Sequence, residues 1–146
     1  QALRLMQKDP DRAETLFILA LQMDPNNLRA RFELGSFYFT TRNYPKAIEA
    51  YQNVIKRDPD FHRAVFNLAF IYASKQDYAM AEQMYQRVID LSPPYADEAH
   101  FNLAVIQSKQ GRKTQSIANL EKALAMNPKN QVARNYLNRL RGSNRS

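Results

Sequence analysis

Few side chains in this sequence are of the types that carry out covalent or acid–base chemistry. The chain contains no cysteine, which excludes thiol chemistry, disulfides and thiolate metal sites. Its two histidines, His62 and His100, fall at different depths of different predicted helices, where a surface position explains the first and packing in place of a larger aromatic explains the second. No dinucleotide-binding, phosphate-binding or zinc-protease motif is present. The sequence predicts a protein that is not an enzyme and that uses no cofactor and no metal.

The carboxylates do not form a catalytic pair either. Glu49 and Glu82 fall on predicted helix faces where solvation explains them. Asp58, Asp90 and Asp97 lie near predicted helix ends, where short acidic side chains commonly form turns and caps. We therefore look for function in binding surfaces rather than in a reaction centre.

The elements that position these side chains repeat along the chain. Pro25, Pro59 and Pro93 stand 34 residues apart, and Pro128 follows 35 residues after Pro93. A period of this length is typical of stacked helical repeats. The same step relates several other sets of residues: Leu34, Leu68, Leu103 and Leu137; Gly35, Ala69 and Ala104; Ala13, Ala47, Ala81 and Ser116; Phe17, Tyr51, Tyr85 and Leu120. We expect the small residues to let paired helices approach closely, and Tyr51 and Tyr85 to be buried between successive pairs.

Each period contains two patterns of apolar residues at helical spacing. Turns of three or four residues between them leave room only for antiparallel neighbours. The predicted helices cover residues 10–23, 28–41, 45–56, 62–75, 78–91, 96–109, 113–126 and 131–141, after a short remnant at 1–7.

These residues resemble a known family. The run Ala64–Tyr72, followed by Asp77-Tyr78, Ala81, Tyr85 and Pro93, closely resembles the tetratricopeptide repeat. The resemblance covers nearly the whole chain, and it implies an all-α, right-handed α-solenoid of antiparallel helix pairs in a single domain of residues 1–146. The implied units are a partial repeat at 1–27, full repeats at 28–61, 62–96 and 97–130, a C-terminal helix at 131–141 and a tail at 142–146.

The chain departs from the family pattern at two positions. The large aromatic that is frequent early in the first helix is replaced by Arg31, Val65 or His100. The tyrosine late in that helix becomes Gln107 in the third repeat. These departures predict locally weaker packing within the same fold.

The resemblance also implies a binding surface. In this family the first helix of each pair lines a concave groove that commonly receives an extended peptide or a partner helix. Carried over position by position, the groove would contain Arg29, Phe32, Glu33, Ser36, Arg63, Phe66, Asn67, Phe70, Glu98, Phe101, Asn102 and Val105. Neighbouring positions add Phe39 and Thr40, and the final helix adds Asn135 and Arg139.

Two features of this groove have alternative interpretations. Phe32, Phe66 and Phe101 form an aromatic stripe that is explained by packing, or alternatively by an apolar floor for partner side chains. Asn67 and Asn102 offer donors and an acceptor that suit the backbone of an extended peptide. Asparagine is also common at this position of the repeat without any ligand contact.

The best-known specific site of the family is a carboxylate clamp that holds the C-terminus of a chaperone tail. The positions that would carry its lysine and asparagine are Phe32 and Ser36, or Phe66 and Phe70. The corresponding site in the third repeat is Glu98, which has the wrong charge. The sequence therefore argues against binding of such a tail.

Net charge and hydropathy limit the classes of partner that the sequence favours. The formal net charge is +7, and the basic residues are scattered except for the concentration at Arg134, Arg139, Arg141 and Arg145. A soluble surface with a basic bias explains this, an acidic protein partner is the sharper interpretation, and nucleic acid or anionic lipid is the least favoured. No apolar run approaches the roughly 20 residues that span a bilayer. The sequence does not indicate a compartment, and a start at Gln1 within a helical pattern is typical of an excised fragment.

The leading hypothesis is a non-enzymatic protein–protein interaction scaffold that binds a partly apolar, partly acidic peptide or helix in its groove. The first alternative is a segment that forms homo-oligomers through the ends of the solenoid, where Leu16, Leu19 and Met23 would pair with another copy. The second alternative, and the less favoured, is binding of single-stranded nucleic acid by stacking on phenylalanines.

Overall fold

A computed structural model describes residues 9–142, and within that range every regular element is a helix. The helices are α1 (Pro10–Met23), α2 (Leu28–Thr40), α3 (Tyr44–Arg57), α4 (His62–Ser74), α5 (Tyr78–Leu91), α6 (Ala96–Lys109), α7 (Lys113–Met126) and α8 (Gln131–Gly142). The predicted all-α fold class is confirmed, and no predicted helix end is wrong by more than one residue. The predicted remnant at 1–7 and most of the tail lie outside the described residues.

The chain divides into two compact units, residues 1–71 and 72–146. In the first unit α1 packs on α2 and α2 packs on α3. In the second unit α5 packs on α6, α6 on α7, and α7 on α8. The connections within each unit are three or four residues long, so consecutive helices are antiparallel.

The helix starts use short polar side chains as caps. Each capping side chain accepts a hydrogen bond from the backbone N–H three residues later, which satisfies one of the donors that a helix end leaves unpaired. The capping residues are Asp9, Asn27, Asn43, Asp77 and Asn130. Helices α6 and α7 follow Tyr95 and Arg112 and have no such side-chain cap.

Small residues set the distance between paired helices. A Cβ atom added to Gly35 would lie 2.9 Å from Cε1 of Tyr51, closer than real Cβ contacts, and 3.1 Å from Cβ of Ala50, tighter than most of them. Ala47 and Ser116, which share a repeat position, are completely buried. Tyr51 and Tyr85 are also fully buried, as predicted.

The proline turns are held by arginines. The carbonyl oxygen of Pro25 accepts hydrogen bonds from Nη2 of Arg31 at 2.9 Å and from Nη1 of Arg57 at 3.1 Å. The carbonyl oxygen of Pro128 accepts one from Nη2 of Arg134, which occupies the repeat position of Arg31. Arg31 therefore replaces the packing of an aromatic ring with a hydrogen bond to the preceding turn.

The two departures in the third repeat are joined by one amide. Nδ1 of His100 lies 2.9 Å from Oδ1 of Asn119, and Nδ2 of Asn119 donates to Oε1 of Gln107 at 2.8 Å. His100 and Gln107 are both buried and lie seven residues apart on the same side of α6. The equivalent positions of Asn119 are Leu16, Ala50 and Met84, so the amide occurs only in the repeat that contains His100 and Gln107.

We expect Gly35→Leu to destabilise the first unit by about 1–3 kcal/mol or more, because the added side chain collides with a buried ring that has no room to move. Urea unfolding followed by circular dichroism measures the change. Gly142→Leu is the matched control, since nothing lies within 4 Å of a Cβ atom added there. Equal stability of the two variants would contradict the close packing of α2 and α3.

We expect Asn119→Ala to lower the free energy of unfolding by about 1–3 kcal/mol for each buried group left without a partner. The triple variant Asn119→Ala, His100→Val, Gln107→Tyr restores the residue types of other repeats and should recover most of that loss. Chemical denaturation of both variants tests this. A triple variant no more stable than the single one would show that the three side chains do not act together.

Candidate functional site

The predicted groove residues of the first unit lie on α2 and α4. Arg29, Arg63 and Phe70 are exposed. Glu33, Ser36, Phe66 and Asn67 are half-buried. Because residues three, four and seven apart share one side of a helix, these side chains and Phe39 fall on one surface, the α2–α4 face (Arg29, Glu33, Ser36, Phe39, Arg63, Phe66, Asn67, Phe70).

An open aromatic cluster occupies one end of the α2–α4 face. The ring of Phe39 packs edge to face on Phe70, with centroids 5.6 Å apart, and lies 6.1 Å from the ring of Tyr44. Phe70 is still 42% exposed. In its repeat neighbours the same position holds Ser36 and Val105, so periodicity alone does not predict a large exposed ring there.

Phe32, which was a candidate for the floor of the groove, lies in the core instead. It is 8% exposed. Its ring centroid lies 5.0 Å from that of Phe61 and 5.7 Å from that of Tyr51. The structure therefore agrees with the packing interpretation of Phe32, and its buried ring does not present a surface to a partner.

Asn67 is tied to the core by a chain of hydrogen bonds. Its Nδ2 donates to Oη of Tyr51 at 3.0 Å, Oη of Tyr51 donates to Oγ of Ser36 at 3.3 Å, and Oγ of Ser36 donates to the carbonyl oxygen of Phe32 at 3.1 Å. Burial raises the pKa of the Tyr51 hydroxyl, and the hydrogen bonds with Ser36 and Asn67 oppose this effect. These hydrogen bonds fix the orientation of the Asn67 amide, so its Oδ1 is held in a defined direction as an acceptor.

The charged residues of this face are loosely held. Nε of Arg29 lies 3.4 Å from Oε1 of Glu33, and the Arg29 side chain is 78% exposed. The pair contributes little to stability, because the Arg29 ion remains largely in water, although the Glu33 side chain is only 15% exposed. Arg29 and the exposed Arg63 can therefore turn towards an acidic partner at small cost.

The second unit carries its own candidate surface on α6 and α8. Phe101, Asn102 and Val105 are half-buried there, and Glu98 is exposed. The side chain of Asn102 is hydrogen-bonded to the hydroxyl of Tyr85, and burial raises the pKa of that hydroxyl despite this bond. Tyr85 and Asn102 thus repeat the arrangement of Tyr51 and Asn67.

Tyr136 belongs to this second surface and was not among the predicted residues. Its ring packs edge to face on Phe101, with centroids 6.2 Å apart. Cζ of Arg139 lies 5.2 Å from the centroid of Tyr136. Tyr136 follows Asn102 by 34 residues, so the repeat register gives its position but not its role.

The opposite side of the first unit holds a polar cluster around Tyr38. Its hydroxyl donates to Oε1 of Glu14 at 2.7 Å, and Nζ of Lys46 lies 3.6 Å from the same oxygen and 4.9 Å from the tyrosine ring. Burial first, and then the hydrogen bond to Glu14, raise the pKa of Tyr38 to about 12. Tyr38 and Lys46 also line a small pocket of about 230 Å³. The cluster connects α1, α2 and α3. Its two charged residues, Glu14 and Lys46, are both engaged in these contacts.

A second pocket, of about 450 Å³, lies over α5 and α6. Gln107 and Leu103 form its floor, and polar residues of α5 form its wall. Glu82 of this wall forms an ion pair with Arg112. The pocket contains no histidine or hydroxyl that a nucleophilic mechanism would use.

Among residues 9–142, no group of three or more histidine, aspartate or glutamate side chains could hold a metal ion. No helix in the same range is long and apolar enough to cross a membrane.

Comparison with solved structures identifies several similar folds. A crystal structure of MamA matches with a TM-score of 0.83 and 23% sequence identity, covering 94% of this chain and 80% of that one. PilF of Pseudomonas aeruginosa matches with a TM-score of 0.88 and 20% identity, covering 99% of this chain and 66% of that one. The first TPR of Spaghetti (RPAP3), bound to the HSP90 peptide SRMEEVD, matches with a TM-score of 0.73 and 23% identity, covering 82% and 96%. At these identities the likeness establishes the fold alone.

Comparison with curated protein sequences gave no significant match. Comparison with protein families gave two matches, both described as tetratricopeptide repeat, over residues 4–69 and 61–129. Together these matches span residues 4–129, a range that contains the buried tyrosines Tyr51 and Tyr85 and the four repeat prolines. The chain belongs to the tetratricopeptide repeat family.

Proposed function

We propose that this chain is a non-enzymatic scaffold that binds a peptide segment or helix of a partner protein on its α2–α4 face. Tetratricopeptide repeats are in general protein–protein interaction modules, which supports the broader part of this proposal. The observation that carries the finer part is the open aromatic cluster of Phe39, Tyr44 and Phe70. It lies next to a hydrogen-bond acceptor on Asn67 and on the same face as two loosely held arginines.

The aromatic cluster supplies the apolar part of the proposed contact. Phe70 is held in place by its edge-to-face contact with Phe39, so little side-chain freedom is lost when a partner covers it. A few desolvated side chains usually dominate the affinity of an interface, and aromatic residues are prominent among them. An aliphatic or aromatic side chain of the partner is the matching group.

The polar residues of the face define the rest of the partner. Oδ1 of Asn67 accepts a hydrogen bond, so the partner should present an N–H group there, as an extended backbone does. Arg29 and Arg63 favour acidic residues beside the apolar ones. The proposed ligand is therefore an extended or helical segment with an apolar anchor and neighbouring carboxylates.

The similar Spaghetti (RPAP3) structure holds an HSP90 peptide, which supports peptide binding by this fold. The chain here departs from the residues that a carboxylate clamp requires, with Phe66 and Phe70 at two positions and Glu98 at a third. We therefore propose a ligand recognised along its side chains, and not one held by a terminal carboxylate. On the second unit, Phe101, Asn102 and Val105 are the proposed counterparts of this site.

We expect Phe70→Ala to weaken binding of a partner peptide by more than about 1 kcal/mol, because it removes the central apolar contact. Arg63→Ala should mainly slow association, and this effect should shrink at high salt, because exposed charges act on encounter. Peptides selected from a display library with the intact chain serve as probes, titrated by surface plasmon resonance at two salt concentrations.

Met126→Ala is the control for loss of an exposed apolar side chain outside the face, and it should bind like the parent chain. Circular dichroism checks that each variant is folded. If Phe70→Ala and Arg63→Ala both bind the selected peptides as the parent chain does, the α2–α4 face is not the binding site.

A further inference from the structure

We propose that copies of this chain associate head to tail, with the outer surface of α1 in one copy docking on the α7–α8 corner of the next. This inference is independent of the proposed function, because it uses neither the α2–α4 face nor a peptide ligand. It depends on two exposed apolar surfaces and on the distribution of charge along the chain.

The first surface, the α1 face, consists of Ile18, Leu19 and Met23. Ile18 and Leu19 are 40% and 47% exposed, and Met23 is exposed almost fully. The internal repeats show that apolar residues are not needed at the first two positions. The same two positions in the other second helices carry polar pairs: Gln52-Asn53, Gln86-Arg87 and Glu121-Lys122.

The second surface, the α7–α8 corner, consists of Lys122, Met126, Lys129 and Val132. Met126 is 52% exposed and Val132 is 63% exposed. Lys122 precedes Met126 by one helical turn and is exposed on the same side of α7, and Lys129 is exposed in the connecting turn. Val132 again departs from the repeat, whose other members at this position are Arg29, Arg63 and Glu98.

The described segments that carry the two surfaces have opposite net charges, although Glu14 of the first is already paired with Lys46. Residues 9–24 contain four carboxylates, Asp9, Asp11, Glu14 and Asp24, and one cation, Arg12. Residues 109–142 contain eight lysines and arginines and one carboxylate, Glu121, so this segment carries as much positive charge as the formal net charge of +7 of the whole chain. The basic residues are Lys109, Arg112, Lys113, Lys122, Lys129, Arg134, Arg139 and Arg141.

These charges select among the ways in which two copies can meet. Contact of α1 with α1, or of one α7–α8 corner with another, would place like charges together, which is unfavourable. Contact of the α1 face with the α7–α8 corner brings opposite charges together while it covers apolar side chains on both partners. Such an interface joins two different surfaces, so it leaves one of each free and can continue to a third copy.

The test is sedimentation of the full chain from micromolar to submillimolar concentration at low and high salt. We expect the average mass to rise with concentration beyond that of a dimer, and to fall when salt screens the charges. A chain that stays monomeric throughout, or that stops at a dimer, overturns the proposal.

Two variants identify the surfaces. Ile18→Gln, Leu19→Asn introduces the residues of the next repeat on α1, and Lys122→Glu, Lys129→Glu reverses the charge of the corner. All four residues are exposed. Each variant alone should associate at least about tenfold more weakly, because it lacks one of the two surfaces. Lys56→Glu, Lys75→Glu is the charge-matched control and should associate like the parent chain.

Mixing the two variants distinguishes contact between the two unlike surfaces from contact of either surface with its own copy, and growth of the parent chain beyond a dimer excludes a closed two-fold pair. The mixture retains one intact α1 face and one intact α7–α8 corner on different molecules, so it should form a one-to-one heterodimer that grows no further. A mixture that stays monomeric would overturn the proposal, as would a corner variant that still forms a dimer by itself. Circular dichroism confirms that each variant is folded.

Discussion

The close approach of α2 and α3 at Gly35 is the constraint on which the first unit depends. The ring of Tyr51 occupies the space that any side chain at Gly35 would need. This contact fixes the distance between the paired helices, and the same repeat position is occupied by the small, buried residues Ala69 and Ala104 elsewhere. Within the same unit, α2 contacts α4 through the rings of Phe39 and Phe70. The candidate binding face exists because the core leaves α2 and α4 side by side.

The same tyrosine also connects the core with that face. Tyr51 is fully buried, yet its hydroxyl is hydrogen-bonded to Asn67 and Ser36, both of which lie at the surface. A buried hydroxyl without a partner would be costly, so the asparagine first serves the fold. Its remaining oxygen is then available in a fixed orientation, without the loss of freedom that a mobile surface amide would incur on binding. Structural and binding roles are therefore combined in one side chain rather than being alternatives.

Much of the helical framework could be predicted from the sequence, because each helix depends on local signals such as a proline after its end or an asparagine before its start. The burial of Tyr51 followed in the same way from its repeat position. The sequence left two interpretations open for both Phe32 and Asn67, because their orientations depend on contacts with other helices. The hydrogen bonds that link His100 and Gln107 through Asn119 were not predicted either. Asn119 lies 12 residues after Gln107, on another helix, and no periodic pattern relates the two positions. The position of Tyr136 within the repeat is clear from the sequence, but only its contact with Phe101 shows that it belongs to the second surface.

Internal repeats supply a comparison that an isolated domain lacks, since each position is seen in several environments within one chain. A residue that departs from its repeat and finds a partner in the same unit, as His100 does with Asn119, is explained by packing. A departure that replaces a polar residue with an exposed apolar one, as at Ile18, Leu19 and Val132, has no such explanation among residues 9–142. Exposing an apolar side chain to water is unfavourable. Phe70 lies between these cases, since its ring contacts Phe39 and the residue is still 42% exposed. The positions where an exposed apolar residue replaces the polar residue of the other repeats are therefore the ones at which this chain is suited to bind other molecules.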